Sequence, residues 1–311
     1  MSGIRKQAII SSILVYIGVL FGVVNNYFFV KDGSFLPEQY GLTRIFSDVG
    51  QNFFIFASLG AIPVLYKFFP YYQDNLHENE NDLFGRTLLM SFIGCILVGI
   101  GGYLLEPLFI QKFSNRSLLF VQYYFWVFPF AFGLLFFSLL EGYAWALQKT
   151  ILSNFLRETV LRMLTTVIIL LYYFRLIDFR AFMVCFSLLY LVIASILLVY
   201  LIRTGHLKFQ FTKSRVTKKF YKKMFTMQGL IFGGIIITTI GSTIDGLIIA
   251  SLLGLEPTGV YTLALYAANL KNTAFFAKKR HYNSSLEMAL EGGEIPTSVY
   301  TNLIDTVHEH M

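Results

Sequence analysis

The stretch YGLTRIFSDVGQNFFIFASLGAIPVLY, residues 40–66, is apolar enough to cross a membrane, yet it carries Arg44, Asp48, Gln51 and Asn52. At 100° per residue these four and Ser58 fall on one stripe of a helix. A lone charge in hydrocarbon costs about 2.5–3.5 kcal/mol on insertion scales, so the stripe is expected to face a wet or protein-lined interior. A self-neutralising i,i+4 pair between Arg44 and Asp48 is the competing reading. Gln51 and Asn52 extend the stripe beyond what one such pair needs. The segment therefore predicts a polar cavity inside a bilayer.

The rest of the chain fits that setting. Charged residues make up 14% of the sequence, against about 25% in soluble domains. Apolar residues gather in blocks long enough for transmembrane helices. The blocks predict an all-α, polytopic membrane bundle of about eight spans, at residues 8–30, 40–66, 87–105, 118–140, 155–174, 181–202, 228–253 and 259–276. The first follows Arg5 and Lys6 and is longer than a signal-peptide core, with no small-residue cleavage site after it, so it reads as a retained span.

Charge orients the bundle with its N-terminus in the cytoplasm. The segments then inside hold Arg5, Lys6, Lys67, Arg86, Lys149, Arg157, Arg162, the basic residues between Arg203 and Lys223, Lys271, Lys278, Lys279 and Arg280. The external segments hold only Lys31, Lys112, Arg116, Arg175 and Arg180. This is the positive-inside asymmetry. The net charge of +7 needs no nucleic acid. Its main basic run, residues 203–223, reads as topology plus attraction to anionic membrane lipids. A sharper reading makes it an amphipathic linker that binds a phosphate headgroup, seated by Phe209, Phe211, Phe220, Tyr221 and Phe225.

Catalytic and cofactor chemistry is not expected. All five histidines (His77, His206, His281, His308 and His310) fall in predicted loops or the tail, and neither HExxH nor a GxxxxGK[ST] phosphate loop occurs. The acidic stretch 73–82 reads as a solvated loop. Cys95 and Cys185, both in apolar blocks, read as packing residues. Further intramembrane polar groups are Asn25 and Asn26 in the first span and Asp245 in the seventh, where Thr238 and Ser242 share its face. Arg44 is the obvious cation for Asp245. Arg157, Glu158 and Arg162 read as a salt-bridge cluster on the cytoplasmic side. Pro129, with Gly133 a turn later, and Pro63 mark candidate bends. Gly229 and Gly233 form a GxxxG suited to close helix packing.

Residues 40–72, YGLTRIFSDVGQNFFIFASLGAIPVLYKFFPYY, resemble the second-helix signature of bacterial polysaccharide-biosynthesis flippases. These belong to the superfamily that includes the multidrug and toxin extruders. A second likeness, DGLIIASLLGLEPTGVYTLALYAANL at 245–270, is similar to that family's seventh and eighth helices. The resemblance covers about residues 1–270. It implies a transporter of the inner (cytoplasmic) membrane, not an enzyme, that moves lipid-linked oligosaccharide outward for cell-surface polysaccharide or lipopolysaccharide biosynthesis. A cation or drug antiporter of the same superfamily is the alternative. The cleft so implied is lined by helices one, two, seven and eight. Asn25, Asn26, Arg44, Asp48, Gln51, Asn52 and Asp245 are then substrate-binding residues: Arg44 for pyrophosphate, amides and hydroxyls for sugars, Asp48 or Asp245 for a coupling ion.

The domain expectation follows: a six-helix lobe over residues 1–202, a basic linker over 203–227, the first two helices of a second lobe over 228–276, and a polar cytoplasmic tail over 277–311. After Leu270 the chain departs from the family. The expectation is a second lobe lost through a truncated or shifted reading frame, with a regulatory tail as the alternative and a short helix at 284–290.

Overall fold

The computed structural model describes residues 2–31, 34–77, 80–205, 207, 210–285, 287, 288, 298 and 302, with side chains from Ile13 onward except that of Leu270. Eleven α-helices are described: α1 (Ser2–Val30), α2 (Pro37–Ser58), α3 (Ala61–Asn75), α4 (Leu83–Phe113), α5 (Leu118–Tyr123), α6 (Val127–Ala146), α7 (Thr150–Asn154), α8 (Leu161–Tyr173), α9 (Phe179–Arg203), α10 (Arg215–Leu252) and α11 (Leu255–Lys279). A 3₁₀ turn, Tyr124–Trp126, joins α5 to α6, and a π-helical turn, Phe155–Val160, joins α7 to α8. No strand occurs among the described residues.

Five helical stretches are long and apolar enough to cross a membrane: Ile13–Val30, Leu83–Phe113, Leu118–Ala146, Phe179–Arg203 and Arg215–Leu252. A sixth is added if α2 and α3, bent by 46°, count as one span. The chain thus has the make-up of a multi-pass membrane protein. Two segments expected as spans are helical but fall outside this count. The π turn and α8 carry Arg157, Glu158 and Arg162 in one stretch, and α11 carries Glu256, Lys271, Lys278 and Lys279.

Local sequence sets the break in the second segment. Pro37 opens α2, where a missing N–H is harmless, and Glu38 suits the positive end of the helix dipole. The Leu36 N–H donates to Gln39 Oε1 at 3.0 Å. The helix stops where Leu59 (φ 46°) and Gly60 (φ 70°) turn left-handed, a conformation glycine enters without a Cβ clash. Pro63 and Pro129 lie third in α3 and α6. Their missing N–H groups had no helical partner there, so neither proline breaks a helix. The nearby bends come from the Leu59–Gly60 turn and the 3₁₀ turn instead.

Two units can be separated, Met1–Gly259 and Val260–Met311. In the first, α6 packs along α9. Phe130 stacks on Phe186 (5.7 Å, 15°), and Phe46 from α2 meets both rings edge-on at 5.6 and 6.1 Å; such pairs each add about 0.5–1.5 kcal/mol beyond burial. A second cluster gathers Leu65, Phe68, Tyr72, Leu83, Phe137, Leu197, Leu201 and Val216. Outward faces carry Leu20, Leu104 and Ile237, all more than 60% exposed, as a lipid-facing surface requires.

Part of the expected linker is built into this unit. Arg203 ends α9, whereas Ser214 caps α10, accepting from the Thr217 N–H at 3.2 Å, so residues 215–227 are the first turns of one 38-residue helix. Asp82 holds that start. It is fully buried, accepting from Arg86 Nε at 2.8 Å, from Thr217 Oγ1 at 2.7 and 2.9 Å and from the Ser214 N–H at 3.3 Å. The acidic stretch read as solvated therefore ends in a structural anchor, because hydroxyl, amide and guanidinium donors replace water around the carboxylate. A Cβ placed on Gly229 or Gly233 would meet no described atom within 4 Å, so the GxxxG makes no close contact in this chain.

In the second unit, α11 runs on to Lys279, and a turn leads to Ser284. The Ser284 hydroxyl accepts from the Glu287 N–H at 3.1 Å, and the Met288 N–H donates to the Ser284 carbonyl at 3.2 Å. That is the start of the expected short helix; residues 289 and 290, and the tail beyond except 298 and 302, lie outside the described residues.

Candidate functional site

The polar stripe of α2 splits between two neighbours. On one side α10 runs antiparallel to it. Asn52 Nδ2 donates to Thr243 Oγ1 and to the Asp48 carbonyl, both at 2.8 Å, and Gln228 Nε2 donates to the Leu59 carbonyl at 2.7 Å. A Cβ on Gly246 would stand 2.8 Å from Asp48 Oδ2, so a glycine there admits the carboxylate to the helix interface.

On its other side α2 borders a cleft of about 440 Å³, which α6, the π turn, α8, α9 and α10 help to enclose. Arg44, Ser47 and Gln51 line it from α2, Ser138 from α6, Arg157 from the π turn, Thr165 from α8, Tyr190 from α9 and Thr239 from α10, with Phe130 and Phe186 among the apolar walls. Among the described residues its lining includes two arginines and no carboxylate.

Register places those arginines toward opposite ends. Gln39 Nε2 donates to the Tyr172 hydroxyl at 3.0 Å, so the end of α8 lies beside the start of α2, near Arg44, whereas Arg157 precedes α8 at its opposite end. Contacts of Gly50 with Phe130, and of Gly142 with Tyr66, run α6 parallel to the α2–α3 pair. They put Glu141, and Arg157 bound to it, past the end of α2. The cleft-lining residues of α2 alone, 44 to 55, cover ~16 Å of helix.

The two guanidiniums are held differently. Arg44 donates to the Tyr40 hydroxyl from Nε at 3.0 Å and from Nη2 at 2.9 Å, and lies over the Tyr40 ring at 5.3 Å. Among the described residues no ion pair within 4.0 Å joins it to Asp48, one turn along the same helix. Arg157 Nη1 donates to Glu141 Oε2 at 2.5 Å. Its side chain is 44% exposed, against 3% for that of Glu141. The π turn gives Arg157 its place: an extra residue per turn displaces the backbone, a distortion often found at functional sites. Arg162 pairs with Glu158 at 2.8 Å, outside the cleft lining.

Arg44 and Gln51 thus share the cleft, and Asp48 and Asn52 share the contact with α10. Asn25 lies elsewhere: it is buried against α8, donating to the Arg162 carbonyl at 3.1 Å and accepting from Thr166 Oγ1 at 2.6 Å. Asn26 and Asp245 are exposed. On α10 the face singled out in sequence (Thr238, Ser242, Asp245) is exposed, while Thr239, Thr243, Gly246 and Ala250 are the residues turned toward the protein. Arg157 and Glu141 were not expected at the site. Glu141 ends the apolar run of α6, 16 residues before Arg157, and that isolated carboxylate was the available signal. Neither a protein-family model, nor a curated protein, nor a solved structure matches the chain.

Proposed function

We propose that this chain is a multi-pass transporter of the cytoplasmic membrane that moves an oligosaccharide, carried on a lipid pyrophosphate, from the cytoplasmic to the external leaflet for cell-surface polysaccharide biosynthesis. The reading rests on one observation: a cleft among membrane-type helices with a guanidinium toward each end and no carboxylate among its described lining residues. Guanidinium groups recognise phosphate through paired, charge-assisted hydrogen bonds. Ser47, Gln51, Ser138, Thr165 and Thr239 supply neutral donors and acceptors suited to sugar hydroxyls. The same positive lining argues against the cation-extruder alternative, which would need acidic groups facing the passage.

An eight-span topology with a cytoplasmic N-terminus accompanies this reading. Helix directions support the alternation of passes, whichever side the N-terminus is on: α10 and α8 run antiparallel to α2, whereas α6 runs parallel to it. Alternating passes, with α7 to α8 as the fifth, require those directions. The charges of that fifth pass are paired, Arg157 with Glu141 and Arg162 with Glu158, which makes burial in a bilayer tolerable.

The test is translocation of a labelled polyprenyl-pyrophosphate oligosaccharide by the purified chain in proteoliposomes. Arg44→Ala and Arg157→Ala are each expected to lower the rate by roughly tenfold or more, about 1.4 kcal/mol of lost interaction. Wild-type rates in both variants, at equal protein levels, would overturn the assignment.

A further inference from the structure

We infer that Glu141 is an exchangeable counter-ion for Arg157: a phosphate-bearing ligand entering the cleft takes the guanidinium from Glu141, and the carboxylate left behind takes up a proton. The inference rests on the anion-binding reading of the cleft and adds the event that accompanies binding.

Three features of the pair carry it. Arg157 is bound to Glu141 through Nη1 alone, and a guanidinium has five N–H donors, so most of its bonding capacity is unused at a side chain that lines the cleft. Its side chain is partly exposed while that of Glu141 is not, so an incoming anion meets the arginine and not the carboxylate. Glu141 Oε2 is bonded to Arg157, but Oε1 has no hydrogen-bond partner among the described residues although it is buried. This carboxylate therefore depends on one donor.

The described surroundings supply no second cation for that carboxylate. The charged and titratable groups facing Glu141 are Arg157 and Glu158 on the π turn, Tyr66 on α3 and Tyr190 on α9. Arg157 is the one cation among them, and Glu158 is an anion already paired with Arg162. The helix that carries Glu141 is packed by α9 and α2, which holds its backbone in place. A buried carboxylate that loses its only counter-ion is destabilised in the charged form and favours protonation. The charges balance. The Nη1–H···Oε2 bond breaks, a guanidinium–phosphate bond forms, and a proton drawn from the buffer adds to a Glu141 oxygen. The ligand's negative charge is met by Arg157, and Glu141 becomes neutral.

The test uses the full chain in detergent, titrated calorimetrically with farnesyl pyrophosphate at one pH in buffers of differing ionisation enthalpy. Wild type is expected to take up about one proton more per ligand than Glu141→Gln; the ligand's own protonation cancels in the difference. Glu141→Gln is expected to bind the ligand still. Equal proton uptake by the two overturns the exchange and leaves the anion-binding reading standing. Absence of binding by the wild type overturns both. Should Glu141→Gln fail to fold, infrared difference spectra of the wild type decide: a protonated-carboxyl band arising on ligand addition supports the exchange, and no such band overturns it.

Discussion

α6 and α10 both belong to stretches apolar enough to span a membrane, yet over an apolar window of 18 residues in each, 61% of the first is buried within the protein and only 11% of the second. α6 lies at the centre. Its aromatic residues fill the contact with α9, and it can keep Glu141 nearly solvent-free because Arg157 reaches it. α10 meets α2 along a narrow ridge of small residues and leaves most of its surface outward. Similar hydropathy thus serves two roles. In one helix the polar residue is sheltered by packing; in the other, polar residues only two positions apart divide between a helix contact (Thr243) and an exposed face (Asp245).

Substitutions can break that contrast. The largest effect is expected from emptying the centre: Phe137→Ala in α6 removes a fully buried ring and should cost about 3–5 kcal/mol, whereas Ile237→Ala, on the open side of α10, should stay within about 0.5 kcal/mol. Denaturant titration in micelles measures both, and comparable losses would erase the distinction. Gly246→Leu comes next. Its side chain would collide with Asp48, and separation or strain of α2 and α10 should cost about 1–3 kcal/mol; an unchanged midpoint would mean that the two helices are not in contact. The smallest is the Asn52–Thr243 hydrogen bond. A double-mutant cycle with Asn52→Ala and Thr243→Val should give a coupling of about 0.6 kcal/mol, the average for such bonds between membrane helices, and zero coupling would remove this bond as a contributor.

Much of the helical layout could be read from hydropathy, because long apolar runs leave few alternatives. The α2 stripe was also legible, since Arg44, Asp48, Gln51 and Asn52 recur at helical spacing. Which neighbour each would meet was not. Periodicity gives the angle of a residue on its own helix and nothing about what packs there. For that reason Asn25 was grouped with the cavity, although Thr166 and the Arg162 carbonyl occupy its amide. Likewise the exposed face of α10 was chosen because it holds the charge, while the contact with α2 and the cleft uses Thr243 and Thr239. Glu141 lies one residue beyond the fourth expected span, 118–140, and no reading of the sequence singles it out. Its importance arises from the π turn that delivers Arg157, and no local pattern announces that turn.

The central claim is that a water-accessible, anion-attracting cleft lies beside α2. Cysteine accessibility tests it most directly. In a Cys95→Ala, Cys185→Ala background, both native cysteines being free, Gln51→Cys should react quickly with a small charged thiol reagent, and pyrophosphate should slow the reaction. Ile237→Cys, facing lipid, should react slowly and be indifferent to pyrophosphate. Equal, slow labelling at both positions would contradict the account.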